Sequence, residues 1–130
     1  MRLGRKKQTE HDLQSACIKW CGLMAKKTHK ELSLIFAIPN ELSVGSGKGG
    51  VIKGAKLNRE GRKAGVPDLF LPVARGPYHG FFIEMKKKGE KPRENQRQWL
   101  ESLANQGYKT MVIDNFDTFI NELTTYLKLK

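Results

Sequence analysis

The sequence predicts a mixed α/β domain with one central mixed sheet flanked by helices. Three observations carry this prediction. The chain opens on an amphipathic helical pattern, its centre is a pair of apolar strands around a turn, and its end alternates strand, helix, strand, helix. A strand–helix–strand run implies a parallel pair with a right-handed crossover. At 130 residues, the chain has room for a single domain with a substantial core, which we place over 1–130.

The elements follow in order. Thr9-Glu10-His11-Asp12 sets a hydroxyl three positions before a carboxylate, so each side chain can satisfy a free amide of a first helical turn. Leu13, Cys17, Trp20 and Met24 then line one face, which predicts a helix over about 10–27. Residues 32–38 are rich in strand formers and stop at Pro39-Asn40, predicting a strand. A short helix near 55–63 is closed by Gly65.

Residues 66–73 and 80–86 read as strands of a hairpin whose connection is Arg75-Gly-Pro-Tyr-His79. A helix is expected over about 93–105, with Pro92 near its start and Gly107 just past its end. Its inward side carries Gln96, Trp99, Leu100 and Leu103. Residues 108–113 form a further strand. Asn115 caps a last helix whose Phe116, Phe119, Ile120, Leu123 and Leu127 keep helical spacing.

Charge narrows the function classes. Lys and Arg number 24 against 13 Asp and Glu, a formal net charge of +11. Such an excess costs self-repulsion in the compact state and points to a polyanionic partner, nucleic acid first and an anionic membrane surface second. The longest apolar run, Leu34 to Pro39, is far short of a membrane span. No apolar signal core follows the basic residues 1–8. Cys17 and Cys21 lie four apart in a helical pattern, where they cannot staple distant segments. A cytoplasmic protein with reduced, core-facing thiols is the expectation. His11, His29 and His79 lack the spacing of a zinc site.

Three basic stretches, 2–7, 48–63 and 86–97, offer a track for phosphates. Its candidates are Lys48, Lys53, Lys56, Arg59, Arg62, Lys63, Lys87, Lys88 and Arg93. Residues 43–64 contain the glycine-rich Gly45-Ser-Gly-Lys-Gly-Gly50. This is expected to be a mobile segment touching nucleic acid, with a plain linker as the alternative; the Gly-Lys-Ser/Thr ending of a phosphate-binding loop is missing.

The chemistry concentrates at Asp68, just after Pro67, and at Glu84-Met85-Lys86, on the neighbouring strand sixteen positions later. In register, Asp68 and Glu84 converge on one sheet face, with Lys86 about 6–7 Å further along. Two adjacent carboxylates repel unless a cation lies between them, and hard oxygen ligands suit Mg²⁺ or Mn²⁺. Such an ion acts as Lewis acid and template and can activate water. Lys86 adds positive charge where phosphate oxygens gain negative charge. The alternative is a solvent-facing Glu84–Lys86 pair on a sheet edge.

Ile38-Pro39-Asn40, Gly65-Val66-Pro67-Asp68-Leu69, Phe82-Ile83-Glu84-Met85-Lys86, Gln96 with Trp99-Leu100, and Gly107-Tyr108 occur in an order and spacing that resemble the VRR-NUC family of the PD-(D/E)XK nuclease superfamily. The resemblance spans roughly residues 10 to 123 and implies a restriction-endonuclease-like fold. It also implies that Asp68 and Glu84 bind metal, with the Met85 carbonyl a further ligand, and that Lys86 is the catalytic lysine. Gln96 resembles the family's auxiliary glutamine. Glu10 resembles a glutamate on the first helix facing the same metal; a helix-capping carboxylate is the other reading.

The implied function is a Mg²⁺- or Mn²⁺-dependent endonuclease hydrolysing DNA phosphodiesters, selective for branched DNA such as flaps or four-way junctions. The resemblance further implies a homodimer, with the compact stand-alone form suiting a virus-encoded protein acting in a host cytoplasm. Two alternatives stand beside it: a non-catalytic nucleic-acid-binding module, and a nuclease subunit that needs a partner.

Overall fold

The computed structural model describes residues 9–39 and 59–130. The basic tail 1–8, the glycine-rich segment and most of the helix expected near 55–63 lie outside them, together with Lys48, Lys53 and Lys56. Helix α1 spans Glu10–Lys27. Strand β1 is Phe36–Ala37, β2 is Leu69–Leu71 and β3 is Phe81–Met85. Helix α2 spans Glu94–Asn105, β4 Lys109–Ile113 and α3 Phe116–Leu127. The strands form one mixed sheet in the order β1-β2-β3-β4, with β1–β2 and β2–β3 antiparallel and β3–β4 parallel.

Local chemistry explains the ends of these elements. Thr9 Oγ1 accepts the Asp12 N–H at 3.0 Å and Asp12 Oδ2 accepts the Thr9 N–H at 3.2 Å, the reciprocal cap expected from the sequence. Asn115 Oδ1 accepts the Thr118 N–H at 2.8 Å and starts α3. Arg93 is the residue flanking α2, which begins one position later than expected.

The predicted strand over 32–38 is corrected. Residues 30–34 form a 3₁₀ turn instead, and only Phe36–Ala37 pair with β2. Leu32 is fully buried in this turn, and Ser33 Oγ donates to the Lys30 carbonyl, so side chain and core both favour the turn.

One sheet face carries Leu69, Leu71, Phe81, Ile83, Met85 and Ile113 into the core. Leu13, Cys17 and Cys21 of α1 and Phe119, Leu123 and Tyr126 of α3 close over them. Burial pushes both thiols up to about 12, which keeps them protonated members of the core. Tyr126 was not among the expected core residues; its hydroxyl donates to the Val73 carbonyl and ties α3 to the end of β2. On the opposite face Phe70 stacks on Phe82, with ring centroids 4.1 Å apart. The crossover helix α2 lies over this second face. It buries Gln96 and Leu100, while Trp99 and Leu103, expected inside, are half-buried.

Candidate active site

The hairpin is in register: Leu69 pairs with Ile83 and Phe70 with Phe82. One step further places Asp68 across from Glu84. Pro67 is fully buried at the head of the strand, and the Asp68 carbonyl accepts the Ile38 N–H at 2.8 Å. Asp68 Oδ2 accepts the Met85 N–H at 2.7 Å, so the carboxylate is clamped by the neighbouring strand's backbone. The approach to Asp68 is fixed by Gly65, whose φ of +91° is a left-handed conformation. A Cβ there would meet the Asn95 backbone at 3.0 Å, so only glycine lets the loop rest on the first turn of α2.

Glu84 and Lys86 are not a solvent-facing pair. Glu84 is 1% exposed and Lys86 7%. Helix α2 covers Glu84: Gln96 Nε2 donates to Glu84 Oε1 at 3.0 Å, and Gln96 Oε1 accepts the Arg93 N–H at 2.8 Å. Glu84 Oε2 is buried with no hydrogen-bond partner. Burial first, and then the neighbouring Asp68 carboxylate, push the Glu84 carboxyl up to about 8, against the pull of Lys86. Burial also raises Asp68, opposed by the Met85 N–H, the Glu84 carboxyl, Lys86 and His11.

Lys86 Nζ lies 4.0 Å from Glu10 Oε1. Glu10 thus stands in the first turn of α1, as the capping reading expects, and also faces the site through Lys86. The parallel pair ends here, with Lys86 N–H bonded to the Ile113 carbonyl, and the carboxyl ends of parallel strands are where α/β sheets bind ligands. A cleft of about 690 Å³ opens at this point between the cap Thr9 and Leu13 of α1, Lys86, Lys87, Lys88 and Glu90 after β3, and Asp114 and Asn115 after β4. Asp114 was not foreseen. Its carboxylate accepts the Gly89 N–H at 3.3 Å and the Asn115 amide at 2.9 Å, holding the lysine-bearing loop to β4. His11 lacks the spacing of a zinc ligand, yet it sits close enough to Asp68 to favour its charged form.

The exposed basic residues Lys87, Lys88 and Arg93 follow β3, and Arg59, Arg62 and Lys63 precede Asp68. Among the described residues, no group of three or more His, Cys, Asp or Glu is disposed to hold a metal. Mg²⁺ needs no such cage, since it binds through one or two carboxylates and completes its shell with water and substrate phosphate. Asp68 opposite Glu84, with one buried carboxylate oxygen lacking a partner, fits that mode. Among the described residues no helix is long and apolar enough to cross a membrane.

Comparison with known proteins identifies the family. The VRR-NUC domain family model matches residues 40–116. A solved structure of a VRR_NUC domain protein is similar to this chain at 32% identity and a TM-score of 0.78, covering 96% of this chain and 93% of that one. Curated proteins yield no match. The chain therefore belongs to the VRR-NUC domain family and is a nuclease-type domain.

Proposed function

We propose that this chain is a divalent-metal-dependent endonuclease that hydrolyses DNA phosphodiester bonds. The observation that carries the reading is the buried, unpartnered Glu84 Oε2 opposite Asp68 and beside a buried lysine. A surface evolved only to bind phosphates gains nothing from a buried carboxyl beside a half-buried one, which repel both each other and the ligand. Asp68 and Glu84 would hold Mg²⁺ or Mn²⁺, with the Met85 carbonyl and Glu10 as further candidates. When bound, the ion supplies Lewis acidity and a template for the phosphate.

The chain's own residues do the rest. Gln96 orients Glu84, and the Met85 N–H orients Asp68. The Lys86 ammonium, largely withdrawn from water, stabilises negative charge developing on the phosphate oxygens. Lys87, Lys88, Arg93, Arg59, Arg62 and Lys63 contact flanking phosphates, so binding depends on salt and reads few bases. Branched DNA, flaps or four-way junctions, is the proposed substrate. A homodimer would set two such sites about a twofold axis to cut opposing strands.

The test is cleavage of end-labelled linear duplex, single strand, 5′ flap and four-way junction in Mg²⁺, Mn²⁺ or EDTA, by the wild type and by Glu84→Gln. Metal-dependent cutting of branched DNA by the wild type alone supports the reading, and paired symmetric nicks on the junction support the dimer. Binding of all four DNAs without cutting puts the non-catalytic or partner-dependent reading first.

A further inference from the structure

On the far side of the carboxylate pair from the lysine cleft lies a second groove, of about 470 Å³, walled by Ile38, Pro39, Val66 and Trp99, with Arg62 and Lys63 on its rim. It shares its framework with the candidate active site. The Ile38 N–H bonds the Asp68 carbonyl, Val66 is two residues before Asp68, and Trp99 is one turn beyond Gln96 on α2. Its volume falls in the range of small-molecule sites.

Trp99 is fixed in this wall. Its indole N–H donates to the Ala64 carbonyl at 3.1 Å, and the loop bearing Ala64 is seated on α2 through Gly65. With its one polar group engaged, the half-buried ring offers only apolar surface to the groove. The two exposed cations beside it suit a ligand that joins a flat apolar body to phosphate. A paired base shows only its edges in the grooves of a duplex, whereas an unpaired base exposes a face that can stack on an aromatic ring.

We propose that this groove receives an unpaired nucleobase adjoining the scissile phosphate, stacked on Trp99 with its phosphate held by Arg62 and Lys63. Cleavage is thereby directed to the boundary between paired and unpaired DNA. The proposal rests on the nuclease reading above and specifies the substrate feature that the same site selects. Stacking tolerates all four bases, so the selectivity is for an unpaired nucleotide and not for a sequence.

The test uses a Trp20→Phe background, in which Trp99 is the sole indole. In EDTA, a duplex with a short single-stranded flap should quench Trp99 fluorescence; a blunt duplex, or the flap with abasic residues at the junction, should not. In metal, Trp99→Leu should lose on the order of tenfold more kcat/KM on the flap than Trp99→Phe does. Both variants forfeit the Ala64 bond, so the difference between them reports the ring face, and matched melting temperatures verify that both fold. Equal quenching by the abasic and base-bearing flaps, or equal losses in the two variants, overturns the proposal. An indole shielded from acrylamide and unmoved by any oligonucleotide also overturns it, because another part of the chain then fills the groove. If the wild type cuts nothing, the nuclease reading fails, while the metal-free titration still decides the groove.

Discussion

Gln96 joins helix to sheet at one point: its Nε2 donates to Glu84 Oε1 at 3.0 Å while its Oε1 accepts the Arg93 N–H at 2.8 Å. One side chain therefore fixes the start of α2 and the orientation of a carboxylate proposed to hold metal. Gln96→Ala should raise the Mg²⁺ concentration for half-maximal cleavage roughly 10–100-fold, the usual cost of losing a group that orients a ligand. It should also lower the melting temperature by roughly 3–5 °C, because about 1 kcal/mol of end-capping and buried hydrogen bonding is lost. An unchanged metal requirement would show that Glu84 needs no such support.

The raised Glu84 carboxyl gives a pH dependence whose sign can be worked out. In the unfolded chain this group ionises at its ordinary value of 4.5, and in the folded protein only at about 8. Between these values the native state binds more protons than the unfolded state, so stability falls as pH rises through that window and is lowest above it. The metal-free protein should therefore melt at a lower temperature at pH 8 than at pH 5.5 in EDTA. Glu84→Gln keeps the shape and the bond to Gln96 and removes the charge. It should flatten this slope, melt higher than the wild type at pH 8, and cleave no DNA. A wild-type midpoint that rises from pH 5.5 to 8 would contradict the raised, buried Glu84 carboxyl.

Local patterns made much of this legible, and long-range packing hid the rest. The Thr9–Asp12 cap and the Asn115 cap depend on residues three apart and were readable directly. The facing of Asp68 and Glu84 followed from strand alternation about a short turn. Alternation places Glu84 and Lys86 on one face, yet it does not say what covers either residue: Gln96 of α2 covers Glu84, while Lys86, just past β3, meets Glu10 of α1. The strand expected over 32–38 failed because a short apolar run has no period of its own; the core position of Leu32 decided for a 3₁₀ turn. The Trp99–Ala64 bond spans 35 residues and leaves no local mark. Asp114 had a signal that could have been used: it directly follows a strand in a parallel pair, where α/β sheets place their ligand-binding loops.

Lys86 and Glu10 separate electrostatic catalysis from helix capping. Lys86→Met retains the apolar stem in its buried slot and removes the ammonium. A loss of roughly 10²–10³-fold in kcat is expected, with little change in DNA affinity, because the buried charge acts on the transition state. Glu10→Gln removes the carboxylate 4.0 Å from Lys86 Nζ. If Glu10 served only the helix dipole, its loss would cost under about 1 kcal/mol of stability and no rate. A fall in kcat beside that small loss of stability is expected instead, and single-turnover kinetics on a flap would reveal it.

The excess of positive charge predicts how affinity responds to salt. A formal charge of +11 steers the protein to any polyanion, and each phosphate neutralised releases condensed counterions. Lys87 and Lys88 are exposed at the mouth of the cleft that contains Lys86, whereas Lys109 is engaged with Glu122 at 3.9 Å, away from that mouth. Lys87→Ala and Lys88→Ala should each weaken binding to every DNA tested and reduce the slope of log K against log salt by about 1. Lys109→Ala should leave the slope unchanged. Fluorescence anisotropy with a labelled duplex in EDTA, from low to physiological salt, measures these slopes without cleavage. Equal slopes for all three variants and the wild type would mean that the DNA does not follow the Lys86–Lys88 cleft, and the phosphate path would have to be sought on the Arg59–Lys63 side.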